Sequence, residues 1–401
     1  MFKIVPRNRI SMPKGCIRIF LKYFLKNKLT EGDEIKKFEK SFAKYLKVKH
    51  SIAVSSARMG LYLILKAWNI KARDEIIVSS YNAPIIPKVI RMVGATPIFV
   101  DVDPKTYNIN PKLIEQRISK KTKAIVVTHI EGLPCGVNSI LKIVKKYNLK
   151  LIEDCAHSLG AEYKGKKVGS FGDAAIFSFG KGKHLNTFYG GMITTNNAKM
   201  AISVKEELKS FRSPTIFEVI KNLISNFLIS TFTSPIFFSF AIYPLLLLTN
   251  IFNIDLITKI FEDKNQFIPE KHSIKYSNFQ AAIGLQQLKL LERKIKKRIK
   301  NAMILDERLN EKIKRQTLLK NTRHVYLNYS IEVNDRESLR KKLFLHGIDT
   351  QPTWMKSCSP SCPVSKKLEK TVLYLPIYES LSRDEIEYII KTFNKIIEKN
   401  E

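Results

Sequence analysis

The spacing of apolar residues predicts that strands and helices alternate through the first half of this chain. Short apolar runs typical of strands lie at residues 48–54, 75–79, 97–102, 124–128, 151–154 and 174–179. Residues at the three- to four-residue spacing of an amphipathic helix lie at 33–46, 59–68, 84–94 and 137–147. Strands joined through helices by short links form βαβ units. We therefore predict an α/β fold with a mostly parallel central sheet flanked by helices.

The second half follows a different pattern. A long helix is predicted from 277 to about 313, and strands at 325–333 and 372–375 alternate with helices at 335–345 and 382–397. This indicates a smaller C-terminal α+β domain. We divide the chain into a basic N-terminal segment, a large domain, an apolar helical insertion, and the long helix with the small domain, at residues 1–30, 31–215, 216–270 and 271–401.

The insertion contains the least charged part of the chain. Residues 222–254 carry no charged side chain, and Pro235 and Pro244 interrupt them. A membrane-spanning helix needs about 20 apolar residues, which 234–254 just supplies. The prolines and scattered polar residues favour a short helical pair instead. Three interpretations stay open: packing over the active site or in a dimer, peripheral membrane contact through 216–254, and a true span.

The charge balance indicates an anionic partner or a general lysine bias on solvated faces. The 401 residues include 69 basic and 36 acidic ones, for a net charge of +33. A phosphorylated substrate, a membrane surface or a nucleic acid would each suit that charge. The most basic stretch, KIKKRIK at 294–300, lacks the interleaved aromatic residues that stack on bases. We therefore expect no nucleic-acid partner.

Cysteine usage indicates a reducing compartment. Five cysteines are few and odd in number, so no disulfide framework is expected. Cys358 and Cys362 lack the second pair that a zinc site needs, and no metal is expected. Lys22 and Lys26 interrupt the short apolar stretch near Phe20, so no secretory signal is visible. A cytoplasmic location is expected, with the inner face of the membrane as an option if the insertion touches lipid.

Candidate chemistry follows two of the predicted strands. Asp154 ends the run 151–154, and Lys183 comes shortly after the run 174–179. Ligands of parallel α/β sheets bind at the carboxyl ends of the strands. An acid and a lysine in one crevice can hold a pyridinium ring and form a Schiff base. Lys181 lies two residues from Lys183, so spacing alone does not choose between them.

A candidate anion site precedes the second predicted helix. Ser56 and Ala57 form a small-residue turn into a helix N-terminus, where free N–H groups and the helix dipole attract anions. The guanidinium of Arg58 can also bind phosphate. The alternative is a capped core helix with a solvent-facing arginine.

Three motifs carry a resemblance to a known family. They are E-D-x-A-H at 153–157, G-S-F-G-D at 169–173 and F-S-F-x-x-x-K at 177–183. Together they resemble the central signature of the DegT/DnrJ/StrS family of pyridoxal-phosphate (PLP) sugar aminotransferases, which have fold type I. The segments GIDTQP at 347–352 and 277–291 are also similar to that family. The resemblance covers about 30–215 and 270–398 and leaves the insertion out.

The resemblance implies roles for individual residues. Lys183 matches the lysine that bonds to the cofactor, and Asp154 matches the carboxylate that pairs with the pyridine nitrogen. His157 matches the residue beside the ring. The phosphate would be bound by Ser178 together with the turn of Ser56, Ala57 and Arg58.

Two positions depart from the family pattern. The aromatic residue that stacks on the ring is Ala83 here, and Tyr81 could substitute for it. The glutamate before the family's Gly-Gly pair is Tyr189 here. The family fold also places the segment around Asn278 near a partner subunit's site.

The resemblance implies an activity and partners. The expected reaction is amination of a keto sugar, carried on a nucleotide, with glutamate as the amino donor and a homodimer as the assembly. The alternative is a catalytically degraded, membrane-associated relative that acts as an interaction protein, for which Ala57, Ala83 and Tyr189 are the evidence.

Overall fold

A seven-stranded sheet forms the centre of the molecule, seen in a computed structural model that describes residues 3–251 and 268–399. Six strands run in one direction, and Gly191–Thr195 is antiparallel to both of its neighbours. Across the sheet the strands are His50–Val54, Gly191–Thr195, Ala174–Ser178, Lys150–Asp154, Thr122–Thr128, Glu75–Ser79 and Thr96–Val100. The prediction of an α/β fold with a mostly parallel sheet is confirmed.

Both faces of this sheet are covered, which explains why its strands read as apolar runs rather than as alternating ones. Side chains of successive strand residues point to opposite faces. Ala174 and Ile176 therefore pack in one core, and Ala175 and Phe177 pack in another. The flanking helices are Glu34–Leu46, Ala57–Ala67, Ile85–Met92, Val137–Lys146 and Ala198–Lys209.

The long helix Asn278–Arg308 starts at a capping box, in which the Ser277 and Gln280 side chains bond each other's backbone N–H groups. It ends before the predicted residue 313. Leu309 has an extended backbone with ψ of 148° and is buried in the core of the C-terminal domain. The helix therefore ends where Leu309 is buried by tertiary packing, although the composition of the following residues favours a helix.

The C-terminal domain has a four-stranded antiparallel sheet, and its strands in spatial order are Lys314–Arg315, Tyr329–Glu332, Val372–Leu375 and Gln351–Pro352. Its helices are Arg336–Leu345, Pro363–Thr371 and Arg383–Glu398. The predicted strand 325–333 is shortened, because Val325 and Leu327 bond the loop at Gly132 and Glu131 of the large domain instead. This contact brings the small domain to the edge of the large one.

The remaining elements are short. The strands pair Tyr81–Asn82 with Lys356–Ser357, and Glu162–Tyr163 with Lys166–Lys167 and Thr322–Arg323. The helices are Cys16–Leu25, Pro111–Ile114, Glu115–Arg117, Ile130–Gly132 and Pro269–His272. The N-terminal segment lies against the small domain, where Val5 pairs with Ile348.

The apolar insertion forms the predicted helical pair. Ile216–Phe232 is followed, after a break, by the continuous segment Pro235–Phe237, Phe238–Ile242 and Tyr243–Ile251. Among the described helices, none alone has the length and apolarity to cross a membrane; Ile216–Phe232 and Pro235–Leu248 would suffice together, but they meet at 60°. The predicted insertion extends into 252–267, which lies outside the described residues.

Candidate active site

The carboxyl ends of the central strands bring the predicted chemistry to one edge of the sheet. Asp154 ends its strand directly beside Thr128 of the parallel neighbour. Ser178 ends the next strand, and Lys183 lies in the loop that follows it. These two strands are parallel neighbours, so Asp154 and the Lys183 loop lie at the same edge of the sheet, and the charge of each group influences the pKa of the other.

Asp154 is a buried carboxylate held in one orientation. Its Oδ1 accepts the N–H of Ala156 at 3.0 Å, and its Oδ2 accepts the hydroxyl of Thr128 at 3.4 Å. Asn82 in turn donates to the Thr128 hydroxyl oxygen at 3.1 Å. Burial raises the pKa of Asp154, although these donors and Lys183 oppose the shift. The carboxylate would be stabilised by a cation in direct contact.

The amine of Lys183 is poised to lose its proton near neutral pH. Burial lowers its pKa from 10.5 to about 8, against the opposing charges of Glu131 and Asp154. The Nζ atom lies 4.6 Å from the centroid of the Trp354 ring. A lysine in this state is a nucleophile and a proton acceptor.

His157 and Lys183 both lie against Trp354 of the small domain. The backbone N–H of Glu131 donates to its Nδ1 at 3.3 Å, which assigns the ring proton to Nε2. Burial, with the charges of Lys183 and His184, holds the pKa of His157 well below its usual range. Its ring is 4.7 Å from that of Trp354. A neutral, planar donor therefore flanks the amine.

Glu131 is a site residue that the sequence reasoning missed. It is buried and has a left-handed backbone, with φ of 54°. Its carboxylate accepts Asn328 Nδ2 at 2.6 Å and the Tyr374 hydroxyl at 2.5 Å. Glu131 is the larger of the two carboxylate influences on Lys183. The sequence signal was an acid shortly after a strand end, the same signal that indicated Asp154.

Trp354 is a second site residue that was not predicted from the sequence. It belongs to the small domain and reaches the large-domain site through the contacts with Lys183 and His157. Nothing in its local sequence indicates this contact, because the packing of the two domains produces it.

The predicted anion site has the geometry of a cradle. Ser56 caps the helix Ala57–Ala67, and its Oγ accepts the Met59 N–H at 3.2 Å. Gly191 pairs with Ser178 across the sheet, and a Cβ at Gly191 would lie 2.7 Å from Ala57 N. Ser56, Ala57 and Ser178 are thus brought together around a glycine. Arg58 is half-buried in the first turn of the helix.

Tyr81 lies in a buried cluster between the domains, with Tyr107, Met355 and Tyr374 among its neighbours. Its hydroxyl shares a hydrogen bond of 2.7 Å with Thr353, whose hydroxyl lies 2.7 Å from that of Tyr374. The hydroxyl of Tyr81 is therefore linked to Glu131 through these two groups. That its ring stacks on a cofactor stays a prediction.

Two further residues have clear structural partners. Lys181 donates to Ser225 of the insertion at 2.8 Å, so the lysine nearest Lys183 is directed away towards that helix. Asn278 accepts the Glu34 N–H at 2.9 Å and donates to the Lys28 carbonyl at 2.8 Å. Both amide atoms of Asn278 are thus used within the chain.

A buried cluster of His129, Glu153 and Cys155 brings potential metal ligands within 4.8 Å of one another. The Cys135 N–H donates to His129 Nδ1 at 3.0 Å, which directs the Nε2 proton at Glu153, 3.2 Å away. Glu153 also accepts N–H groups from the 169–172 turn. The cluster therefore holds that turn against the strand.

Comparison with known proteins places this arrangement in a family. A dTDP-3-amino-3,6-dideoxy-alpha-D-galactopyranose transaminase of Aneurinibacillus thermoaerophilus is 34% identical over 91% of this chain and 90% of its own. A GDP-perosamine synthase of Escherichia coli O157:H7 is 31% identical over 91% of each chain. The crystal structure of a DegT DnrJ EryC1 StrS aminotransferase from Brucella abortus matches with a TM-score of 0.75 and 25% identity over 95% of each chain.

The family match itself covers residues 18–217 and 259–394 and skips most of the apolar insertion. It includes every residue assigned above to the site. The chain belongs to the DegT/DnrJ/EryC1/StrS aminotransferase family.

Proposed function

We propose that this protein is a PLP-dependent aminotransferase that aminates a nucleotide-linked keto sugar, with glutamate as the amino donor, in glycan biosynthesis. One observation supports the proposal above all. Lys183 and the buried Asp154 lie at the carboxyl edge of the sheet, after the ends of two adjacent parallel strands.

The residues present fit PLP in three respects. The raised pKa of Asp154 would be relieved by a protonated ring nitrogen. The buried Nε2 of His184, adjacent to Lys183, has no hydrogen-bond partner among the residues described. The helix N-terminus at Ser56 suits a phosphate. The Ser178 hydroxyl oxygen accepts a 3.5 Å bond from the Gly180 N–H, which leaves its own hydrogen for donation.

Each residue then has a defined task. Asp154 would hold the ring nitrogen, Lys183 would bond to the cofactor, and Ser56, Ala57, Arg58 and Ser178 would hold the phosphate. Bound PLP supplies a ring that withdraws electrons from the carbon being deprotonated.

The chain's own contribution to proton transfer is the lysine amine. A pKa of about 8 leaves Lys183 able both to accept and to return a proton near neutral pH. The neutral His157 donates from Nε2 without adding a positive charge beside that amine.

The class of substrate that accepts the amino group is inferred from the relatives and from the net charge of this chain. Two relatives are named for dTDP- and GDP-linked amino sugars. A net charge of +33 would attract a sugar diphosphate. A homodimer and a cytoplasmic location belong to the same proposal, and peripheral contact of 216–254 with the inner face of the membrane is a separate proposal.

The glutamate half-reaction tests the chemistry without knowledge of the sugar. PLP-loaded protein mixed with glutamate should release 2-oxoglutarate and lose the absorbance of bound PLP, one equivalent per active site. Subsequent addition of the accepted keto sugar should restore that absorbance.

Lys183→Ala should release no 2-oxoglutarate, whereas Lys181→Ala should retain the half-reaction. Failure of the parent protein to form 2-oxoglutarate would favour the alternative, a catalytically degraded interaction protein.

A further inference from the structure

The helix Ile216–Phe232 buries two polar side chains beside Val219 and exposes large apolar ones, and we call it the reversed helix. Asn226 and Ser230 face the protein and are 1% and 9% exposed, whereas Phe217 and Ile224 are 74% and 54% exposed. A surface helix of a water-soluble fold normally buries its apolar side. Here the helix is apolar towards the outside.

The N-terminal segment forms hydrogen bonds with the buried polar side of this helix. Met12 N–H donates to Ser230 Oγ at 3.2 Å, and Ile10 N–H donates to Thr233 Oγ1 at 3.1 Å. Asn226 Nδ2 donates to a backbone carbonyl of its own helix at 2.9 Å. These bonds fix which side of the helix faces outward.

Neighbouring elements extend the outward apolar side. Helix Cys16–Leu25 packs beside the reversed helix around Phe279, and Phe232 contacts Phe237 across the break, with ring centroids 5.6 Å apart. We call the exposed apolar residues of these segments the apolar face, and its most exposed members include Leu21, Leu25, Phe217, Ile224, Phe240 and Leu248. Large apolar side chains exposed in this number on neighbouring elements are typical of an interaction site.

Cations border the apolar face. Residues 11–30 contain no acidic residue, and Lys14, Arg18, Lys22 and Lys26 are exposed among them. Lys221 is exposed on the reversed helix itself. Glu218, at the start of that helix, is already neutralised by a bidentate pair with Arg212.

We propose that the apolar face docks on a bilayer that contains anionic lipids, with its phenylalanine and leucine side chains among the acyl chains and its cations at the headgroups. An amphipathic surface of this composition lies in the membrane interface. The 60° bend between the two helical segments suits a pair that lies on the bilayer better than one that crosses it.

Charge favours lipid over a second copy as the occupant. Two copies meeting through the apolar face would bring the basic borders of both chains together, where like charges repel. An anionic bilayer complements the same border.

Docking would place the active site next to the membrane. Lys181 joins the reversed helix through Ser225, and Lys183 is two residues further along the chain. Docking does not require turnover, so a failure of docking would leave the aminotransferase proposal intact.

The test is co-sedimentation of the full chain, with PLP present, with phosphatidylcholine vesicles that do or do not contain phosphatidylglycerol. We expect the anionic vesicles to bind at least about tenfold more protein, because several cations meet the surface. Added salt should weaken that binding.

The double variant Leu25→Glu/Phe240→Glu tests the apolar contribution. These side chains are 82% and 83% exposed, so their replacement should leave the fold and the PLP spectrum unchanged. We expect at least about tenfold weaker binding to anionic vesicles. Met303→Glu, at an exposed position near the far end of the long helix, is the matched control and should bind as the parent does.

Three results would overturn the proposal. In the first, the parent protein stays in the supernatant with anionic vesicles. In the second, the double variant binds as tightly as Met303→Glu. In the third, the only change in the double variant is dissociation of a dimer. The last result would assign the apolar face to a second copy.

Discussion

At the residue scale, the site depends on how the half-buried Lys183 interacts with two buried carboxyl groups, Glu131 and Asp154. Lys183 has its pKa lowered by burial, and Glu131 and Asp154 limit that shift. The same burial raises the pKa of both carboxyl groups. The pKa of each group therefore depends on the charges of the other two, and removing one group should change the pKa values of the others.

Lys183→Met should stabilise the cofactor-free protein at pH 7. The folded pKa is about 8 and the ordinary value is 10.5, so burial of the ammonium form costs stability below pH 8. Because the lysine is half-buried, we expect a gain of about 1–3 kcal/mol. The gain should decline between pH 8 and 10.5, where only the unfolded chain keeps the proton. Urea unfolding of both proteins across this range measures it, and a gain independent of pH would contradict the assigned cause.

Glu131→Gln should lower the pKa of Lys183 further, because the carboxylate that favours the ammonium form is removed. The midpoint of the pH dependence for covalent PLP attachment should therefore move to lower pH. Glu115→Gln is the control, since Glu115 pairs with Lys146 on the surface, and its midpoint should match that of the parent. An unchanged midpoint in Glu131→Gln would show that this carboxylate does not influence the pKa of Lys183.

Sequence reasoning predicted Asp154 and Lys183 because both follow apolar strands, and strand ends of a parallel sheet meet at one edge. It missed Glu131, which needs a left-handed backbone to direct its carboxylate towards Asn328 and Tyr374. Backbone conformations of this kind are set by the surrounding tertiary packing.

At the element scale, the phosphate cradle is a close approach between one strand and one helix N-terminus. Gly191 permits it, because a Cβ there would lie 2.6 Å from Phe177 O and 2.7 Å from Ala57 N. The sequence predicted the helix start from Ser56 and Ala57. It did not predict the role of Gly191, since the antiparallel pairing of its strand is a long-range contact.

Gly191→Ala should push the helix away from the strand. We expect a loss of about 1–3 kcal/mol in unfolding free energy and at least about tenfold weaker PLP binding through the displaced phosphate site. Gly136→Ala is the control, because its nearest atom to a new Cβ is Pro111 Cγ at 3.8 Å and its φ is −69°. The control should stay within about 0.5 kcal/mol of the parent. Equal effects of the two changes would reject the close-approach argument.

At the scale of the whole molecule, the site lies where the two domains meet. Trp354, Tyr374 and Asn328 reach the large domain from the C-terminal one. The sequence predicted both domains from apolar periodicity, but it contains no signal for how they pack against each other. For that reason the large-domain half of the site was predictable and the small-domain half was not.

Trp354 gives the domain junction a direct optical probe, because the chain has only two tryptophans. PLP binding should change the fluorescence of Trp354, whose ring lies 4.6 Å from Lys183 Nζ. Trp354→Phe should lose most of that change. Trp68→Phe should keep it, since Trp68 follows the end of helix Ala57–Ala67, about 16 Å from the phosphate cradle at 1.5 Å per residue. A signal that disappears with Trp68 instead would place the cofactor elsewhere.

The attachment site of PLP shows whether Lys183 is the lysine that bonds to the cofactor. The protein is loaded with PLP, reduced with borohydride, digested and mapped by mass spectrometry, with Lys181→Ala and Lys183→Ala in parallel. We expect one phosphopyridoxyl group on Lys183 in the parent and in Lys181→Ala, and none at the site in Lys183→Ala. Modification of Lys181 instead, or a parent protein without stoichiometric label, would contradict it.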